Sequence, residues 1–241
     1  MNVPTLRSQK CAECPIRHRA VCARCDEAEF ARLEDMKYYR SYEAGQPILW
    51  RGDEMAIVAS LVRGVASISQ TMEDGRRQMV GLLLPSDFIG RPGRERAPFD
   101  VTAVTDVTLC CFKRRPFEAL VEASPNVTKR LLELTLDELD SARDWMLLLG
   151  RKTARERIAT FIRMVARRSQ LPDDVDMPNI FELPLTREAM ADYLGLTLET
   201  VSRQISALRR DNTIQLHGKR GVEVLSQTRL ADEAGEDAFI D

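Results

Sequence analysis

All six cysteines of this chain fall in two tight groups. Four stand at Cys11, Cys14, Cys22 and Cys25, and two are adjacent at Cys110 and Cys111. The first group has the spacing C-x2-C-x7-C-x2-C. Thiols gathered this closely constrain a fold strongly, because they either staple loops together or converge on a metal. Thiolate is the ligand of structural zinc and of iron–sulfur clusters. The opening residues Met1-Asn2-Val3-Pro4-Thr5-Leu6-Arg7 lack the apolar core of a signal peptide. The longest apolar runs, such as Val80-Gly81-Leu82-Leu83-Leu84-Pro85, fall far short of a bilayer span. The chain is therefore expected in the cytoplasm, with no membrane partner. Thiols stay reduced there, which favours metal ligation over disulfides.

On the residues alone, two four-thiolate sets are open. One is local, Cys11, Cys14, Cys22 and Cys25, and would suit zinc. The other takes Cys11, Cys14 and Cys22 and borrows Cys110 or Cys111, which would suit a 4Fe-4S cluster. A local zinc knot is redox-silent and would only stabilise a short segment. A cluster spanning two parts of the chain ties them together, and oxidation would release them. His18 lies among the four, but a lone loop histidine is usually only solvated.

The chain reads as an α+β protein in four segments: 1–30, cysteine-rich; 31–120, a small antiparallel barrel or roll; 121–150, a dimerisation helix; and 151–241, a winged helix-turn-helix. Within the second segment, Ala56–Val62, Val65–Gln70 and Gln78–Leu84 are short strands. Arg63-Gly64 separates the first two, and Glu73-Asp74-Gly75 is a strong hairpin turn before the third. From Pro125, with Ser124 as the cap, the chain runs to Leu149 without Gly or Pro. Leu132, Leu136, Leu139, Met146 and Leu149 follow three-four spacing, with Ala142 filling the gap. Such a seam predicts pairing with a second copy of the helix, with packing on the core of its own domain as the simpler alternative. A further helix is expected over about Thr153–Arg168, and Leu171-Pro172-Asp173-Asp174 is expected to be a loop.

The C-terminal segment carries a DNA-reading pattern. Thr186 caps a short helix whose residues Met190, Ala191 and Leu194 face inward. Gly195 permits a tight turn, and Thr197 caps a second helix, Leu198 to Arg209. Val201, Ile205 and Leu208 form the buried stripe of that second helix, leaving Glu199, Ser202 and Arg203 on the face that reaches base edges in a major groove. Arg203 can bond guanine O6 and N7, Glu199 can accept from cytosine N4, and Ser202 can hydrogen-bond or touch a thymine methyl. Thr197 and Thr200 can bind phosphate at the helix start. Ile214 to Val224 reads as a hairpin with the basic tip Lys219-Arg220, a wing for the DNA backbone. A plain surface pair of Glu199 with Arg203 at i, i+4 is the simpler alternative, but it does not account for two capped helices, a turn and a wing in succession.

A net charge of −2 over 241 residues would not by itself suggest a nucleic-acid partner. The charge is segregated, however. Ala231-Asp232-Glu233-Ala234-Gly235-Glu236-Asp237 is acidic, while Arg151, Lys152, Arg155, Arg157, Arg163, Arg167 and Arg168 crowd one basic stretch. A local basic face is what phosphate contact needs, although arginine-rich helix faces are usually just solvated.

These features together resemble the CRP/FNR family of transcription regulators, over nearly the whole length. The most specific stretch is Tyr193-Leu194-Gly195-Leu196-Thr197-Leu198-Glu199-Thr200-Val201-Ser202-Arg203. Its Glu-x-x-Ser-Arg is similar to the FNR branch, as is Leu147-Leu148-Leu149 followed by Ala154-Arg155-Glu156-Arg157-Ile158-Ala159. The resemblance implies a cyclic-nucleotide-binding-like β-roll, a homodimer, and recognition of palindromic double-stranded DNA with TTGAT half-sites. It also implies a 4Fe-4S cluster held by three N-terminal cysteines and one in the roll. Phe112-Lys113-Arg114-Arg115-Pro116-Phe117 occupies the place of the family's last roll strand and the turn into the next helix, which puts Cys110 on the ligand position. Cys111 then faces the other way as a small hydrophobe. The ligands implied are thus Cys11, Cys14, Cys22 and Cys110, with Cys25 spare. The x7 gap is longer than the founding member's.

Cyclic nucleotide binding is not expected. Gly90 is followed by Arg91, and Arg96 by Ala97 and Pro98, so the family's serine and acidic partner are missing. The function implied is an oxygen-responsive regulator in which the cluster, present at low oxygen, promotes the DNA-binding dimer. RNA polymerase is the expected protein partner, through exposed loops of the roll near Ser86-Asp87 and of the DNA-binding domain. A zinc-stabilised regulator of another signal and an iron–sulfur redox protein are the alternatives. No enzyme is expected, since there is no Gly-rich nucleotide loop or Ser-His-Asp set, and His18 and His217 are the only histidines.

Overall fold

The computed structural model describes residues 11–169 and 180–235. The loop expected at Leu171-Pro172-Asp173-Asp174 and the Glu236-Asp237 end of the acidic stretch lie outside the described residues. Two compact units divide the chain, one ending at Ser141 and the other starting at Ala142.

The first unit is built on a β-roll of two four-stranded antiparallel sheets. One is ordered β1 (Tyr38–Tyr42), β8 (Val107–Lys113), β3 (Ile57–Arg63), β6 (Phe88–Ile89). The other is ordered β2 (Pro47–Leu49), β7 (Asp100–Ala103), β4 (Ala66–Thr71), β5 (Arg77–Leu83). Strand period decides what fills the roll. Ala59 and Leu61 of β3, Ala66 and Ile68 of β4, Val101 of β7, and Leu109 and Cys111 of β8 form its core. The tight crossing at Gly64 requires glycine. Its φ is +86°, and a Cβ there would lie 2.1 Å from the Asp106 carbonyl oxygen. The expected hairpin at Glu73-Asp74-Gly75 joins β4 to β5, with Gly75 at φ +87°.

The outer face of the β1-β8-β3-β6 sheet is covered by helices. These are α1 (Glu27–Met36), α2 (Arg114–Ala123) and the start of α3 (Pro125–Arg151). Val58, Phe112, Phe117, Leu120, Leu33 and Val127 pack together here, with the Phe117 ring 5.4 Å from Phe112 and 5.6 Å from Phe88. Ser124 caps α3 as expected, accepting from the Val127 N–H at 3.2 Å, and its hydroxyl also donates to the Glu29 carboxylate. Helix α1 was not foreseen. It is set by a capping box in which Asp26 and Glu29 each accept from the other's backbone N–H, at 2.8 and 2.9 Å.

In the second unit, α4 (Ala154–Ser169) packs with α5 (Arg187–Leu194), α6 (Leu198–Arg210) and α7 (Gln227–Glu233). A three-stranded sheet ordered β10 (Ile214–His217), β11 (Gly221–Val224), β9 (Ile180–Glu182) completes the winged helix-turn-helix. Strand β9 and helix α7 were not anticipated. Tyr193 of α5 stacks on Trp145 at 3.9 Å and meets Phe161 edge-on at 5.9 Å, joining the end of α3 to α4 and α5.

Candidate metal centre and DNA-reading surface

The cysteine-rich segment is a run of tight turns that lies on the outer face of the roll. Cys14 donates its N–H to the Cys11 carbonyl at 3.2 Å, Ala20 to Ile16 at 2.8 Å and Cys25 to Cys22 at 3.3 Å. Ile16, Ala20 and Val21 anchor it as buried side chains. Strand alternation decides which thiol of the adjacent pair meets this segment. Cys111, fully buried, points into the core of the roll. Cys110 points outward and packs with Cys14, Cys22, Tyr39, Ile16, Ala20 and Val62. Its register partners are Tyr39 on β1 and Ser60 on β3.

Four thiols therefore share one neighbourhood. Burial pushes the Cys110 thiol well above its ordinary value, and charge on Cys11, Cys14 and Cys22 pushes it further in the same direction. Burial, then Cys14 and Cys11, raise Cys22 to about 11. Cys25 is raised to about 12 by burial, but among the thiols it responds to Cys22 alone. Cys11, Cys14, Cys22 and Cys110 are thus brought together, while Cys25 lies toward Asp26 and Glu29. No three His, Cys, Asp or Glu side chains among the described residues close around a single ion. The four thiols share a neighbourhood without converging on one point.

Burial and charge on neighbouring thiols oppose ionisation of Cys14, Cys22 and Cys110, so a compensating cation would be needed for them to act together as thiolates. One positive side chain is already in place, since Lys37 Nζ donates to Cys11 Sγ at 2.9 Å. Four soft donors in such surroundings are of the type that could hold zinc or an iron–sulfur cluster, and Cys11, Cys14, Cys22 and Cys110 are the residues that could hold it.

The segment is also bonded to the long helix. Arg130 of α3 donates to the carbonyls of Arg19 and, at 3.3 Å, Ala20. Glu133 accepts from Arg130 at 3.0 Å and from Arg24 at 2.7 Å. Sequence reasoning missed Arg130 and Glu133, because a guanidinium that binds backbone carbonyls leaves no mark in residue spacing.

The helix-turn-helix is built as its caps imply. Thr186 accepts from the Ala189 N–H at 3.1 Å, and Thr197 from the Thr200 N–H at 3.2 Å. Gly195 sits in the left-handed region at φ +63°. Met190, Ala191, Leu194, Val201, Ile205 and Leu208 are buried. Thr197, Glu199, Ser202 and Arg203 are exposed, and Thr200 is half-exposed. Glu199 and Arg203 form no ion pair among the described residues, so the simple surface-pair alternative does not describe them. Glu199 is held below the usual carboxylate range by its own backbone N–H and the Thr197 hydroxyl. Arg187, at the first position of α5, is half-buried, and burial lowers its pKa; it donates to the Met190 sulfur at 3.7 Å.

The expected seam of α3 is mostly open. Leu132, Leu136, Leu139 and Met146 are 58%, 50%, 43% and 65% exposed, which is unusual for four large apolar side chains in one row. Ala142 is also exposed, whereas Leu149 is half-buried near Gly195. Two other expectations need correction. Arg155 and Arg157 of the basic stretch are not simply solvated. Arg155 binds Glu233, and Asp211 at 2.6 Å, and Arg157 donates to the carbonyls of Leu149, Lys152 and Leu194 at 2.9 Å each. Nor is Ser86-Asp87 an exposed loop. Ser86 is buried at φ +86°, and the Asp87 carboxylate accepts from the Leu84 N–H at 2.8 Å. Of the arginines near Gly90, Arg91 lies over the Phe99 ring and Arg96 donates to the Gly52 carbonyl at 2.8 Å.

Comparison with known proteins finds two families. The cyclic nucleotide-binding domain matches residues 39–124, and the Crp-like helix-turn-helix domain matches residues 156–233. The chain is 63% identical over 238 residues to the transcriptional activator protein FnrL of Cereibacter sphaeroides, covering 98% of this chain and 96% of that one. It is 28% identical over 232 residues to the fumarate nitrate reduction regulatory protein of Klebsiella oxytoca, covering 94% and 90%. Among solved structures, FixK2 from Bradyrhizobium japonicum superposes with a TM-score of 0.74 at 32% identity, covering 85% of this chain and 99% of that one.

Proposed function

The chain belongs to the CRP/FNR family of transcription regulators, and from that premise we propose that it is an oxygen-responsive activator carrying a 4Fe-4S cluster on Cys11, Cys14, Cys22 and Cys110. At the coarser level it is a DNA-binding regulator of the FNR/FixK type, and its relatives are regulators, not enzymes. No helix among the described residues is long and apolar enough to cross a membrane, and binding chromosomal DNA fits a cytoplasmic protein.

One observation carries the finer reading. Cys110, on a strand of the roll, packs with Cys14 and Cys22 and feels the charge of Cys11, Cys14 and Cys22, whereas Cys25, which packs on the neighbouring cluster with Cys22 and Cys110, feels Cys22 alone among the thiols. Bound there, a cluster would supply an oxygen-labile link held by Cys11, Cys14 and Cys22 on one side and Cys110 on the other. The chain's own residues carry that state onward. Ile16, Ala20 and Val21 seat the segment, and the Arg19 and Ala20 carbonyls hold Arg130 of α3. An ordered segment thus fixes the half of α3 that bears Leu132, Leu136 and Leu139, favouring the pairing that sets two recognition helices one DNA turn apart. A bias of a few kcal/mol between the paired and loosened states is enough.

In each subunit Glu199, Ser202 and Arg203 read base edges, with Thr197, Thr200 and Arg187 on phosphate. The test is a band-shift at matched salt. Anaerobic protein binds a TTGAT-palindrome duplex in preference to scrambled DNA, and air exposure abolishes the preference. Equal binding of both duplexes by anaerobic protein would overturn the reading. RNA polymerase is the partner an activator of this type requires.

A further inference from the structure

Helix α1 ends against the first cysteine, in an arrangement that metal ligation alone does not require. Lys37 follows the last turn of α1, its N–H donating to the Leu33 carbonyl at 3.1 Å, and leads directly into β1. Its ammonium donates to Cys11 Sγ at 2.9 Å and to Glu34 Oε1 at 3.4 Å, and lies 5.9 Å from the centre of the Tyr39 ring. The same Glu34 oxygen accepts from the Cys11 backbone N–H at 2.9 Å. Cys11 is therefore gripped twice, by its sulfur and by its main chain.

A lysine and a glutamate three residues apart on a helix usually form a surface pair of little consequence. This pair is different, because the Lys37 side chain is only 11% exposed while that of Glu34 is 39% exposed. Burying a long cationic side chain is costly unless a partner compensates it. Cys11 Sγ, at 2.9 Å, lies nearer the ammonium than the Glu34 carboxylate oxygen at 3.4 Å. A compact ammonium suits a single sulfur, since it brings a full charge to one point.

We propose that Lys37 and Glu34 form a clamp outside the metal centre, Lys37 by a charge-assisted hydrogen bond to the Cys11 thiolate and Glu34 by fixing the Cys11 backbone, so that both act as positioning residues for metal retention. This rests on the reading that Cys11 is a ligand. Neither residue touches the metal. The clamp makes α1, with its capping box at Asp26 and Glu29, part of the support of the centre.

The test uses the full chain, prepared without air, as wild type, Lys37→Met, Lys37→Arg and Glu34→Gln. Loss of a hydrogen-bonded neighbour of a metal ligand typically lowers metal affinity ten- to a hundred-fold, so K37M should release iron to a chelator about ten times faster than wild type. K37R, which keeps the charge, should recover most of the difference. E34Q, whose amide oxygen still accepts from Cys11, should fall between wild type and K37M. The reduction potential separates clamping from mere packing. Removing the cation in K37M lowers it, and removing the anion in E34Q raises it. Apo-protein melting checks the fold, and if K37M melts early, the K37R and E34Q potentials decide. Iron release and potential unchanged in K37M, or K37R no better than K37M, overturns the clamp. Should wild type bind no iron, the functional reading fails separately. Co(II) then serves as the probe, and equal Co(II) affinity of K37M and wild type overturns the clamp.

Discussion

The guanidinium of Arg130, one turn into α3, donates to the carbonyl of Ala20 at 3.3 Å and so joins the cysteine-rich segment to the helix that bears the exposed leucine row. A bond to a backbone carbonyl reports whether the segment is folded, not which side chains it carries. Arg130→Ala should therefore separate holding the cluster from responding to it. Anaerobic R130A, which loses the bonds to the Arg19 and Ala20 carbonyls and to Glu133, is expected to keep wild-type iron content but to need at least about ten-fold more protein for half-saturation of DNA. Iron analysis and titration of the same preparation check this.

Glu29 links α1 to α3. It is nearly buried, and accepts from the Ser124 hydroxyl, from Asn126 at 3.1 Å and from the Asp26 N–H at 2.9 Å. Burial alone would raise its carboxyl, but hydrogen bonds from Ser124, Asp26 and Asn126 hold it below its ordinary value. Asp26 and Cys25 are its titratable neighbours. A depressed carboxyl stabilises the fold above its unfolded value of about 4.3 and loses that contribution as pH falls through the folded value. Thermal melts of the apo-protein should show wild type losing its advantage over Glu29→Gln as pH drops from neutrality through that window. At neutral pH, E29Q should cost about 1–3 kcal/mol.

The exposed row on α3 predicts an interface. Leu139→Glu places like charges opposite each other in a paired helix. Anaerobic L139E should sediment as a monomer and lose specific DNA binding, while its far-ultraviolet spectrum remains that of wild type. A dimer of unchanged stability would mean that the subunits pair through another surface.

For the recognition helix, Arg203→Ala should weaken specific binding by about 1–3 kcal/mol and relax preference at a single base pair. Arg187→Ala should instead weaken binding to every duplex and reduce the salt slope by about one. Salt titrations with matched and mutated half-sites distinguish the two.

What the sequence made legible follows from local rules. Strand period puts Cys110 and Cys111 on opposite faces, the family resemblance of Phe112 to Phe117 picks Cys110, and the structure buries Cys111 in the roll while turning Cys110 toward Cys14 and Cys22. Thr186, Gly195 and Thr197 mark two helices and their turn because each acts within one turn of backbone. Helix α1 was missed although Asp26-x-x-Glu29 is a readable capping box, because the helix is ten residues long and buries only Glu29 and Leu33, too few for an apolar period. Long-range polar partners had no such signal. Arg155 finds Glu233 across 78 residues, and Lys37 finds Cys11 only once α1 and β1 are in place. Half-burial of Leu149 likewise depends on where the turn at Gly195 lies, which seam spacing cannot encode.

The most direct measurement is anaerobic visible absorption with iron and sulfide analysis on wild type, Cys25→Ser and Cys110→Ser. The account predicts brown wild-type and C25S proteins with about four irons and four sulfides per chain, and a colourless C110S. Colourless wild type without sulfide, or a C110S that keeps its colour while C25S loses it, would contradict the account.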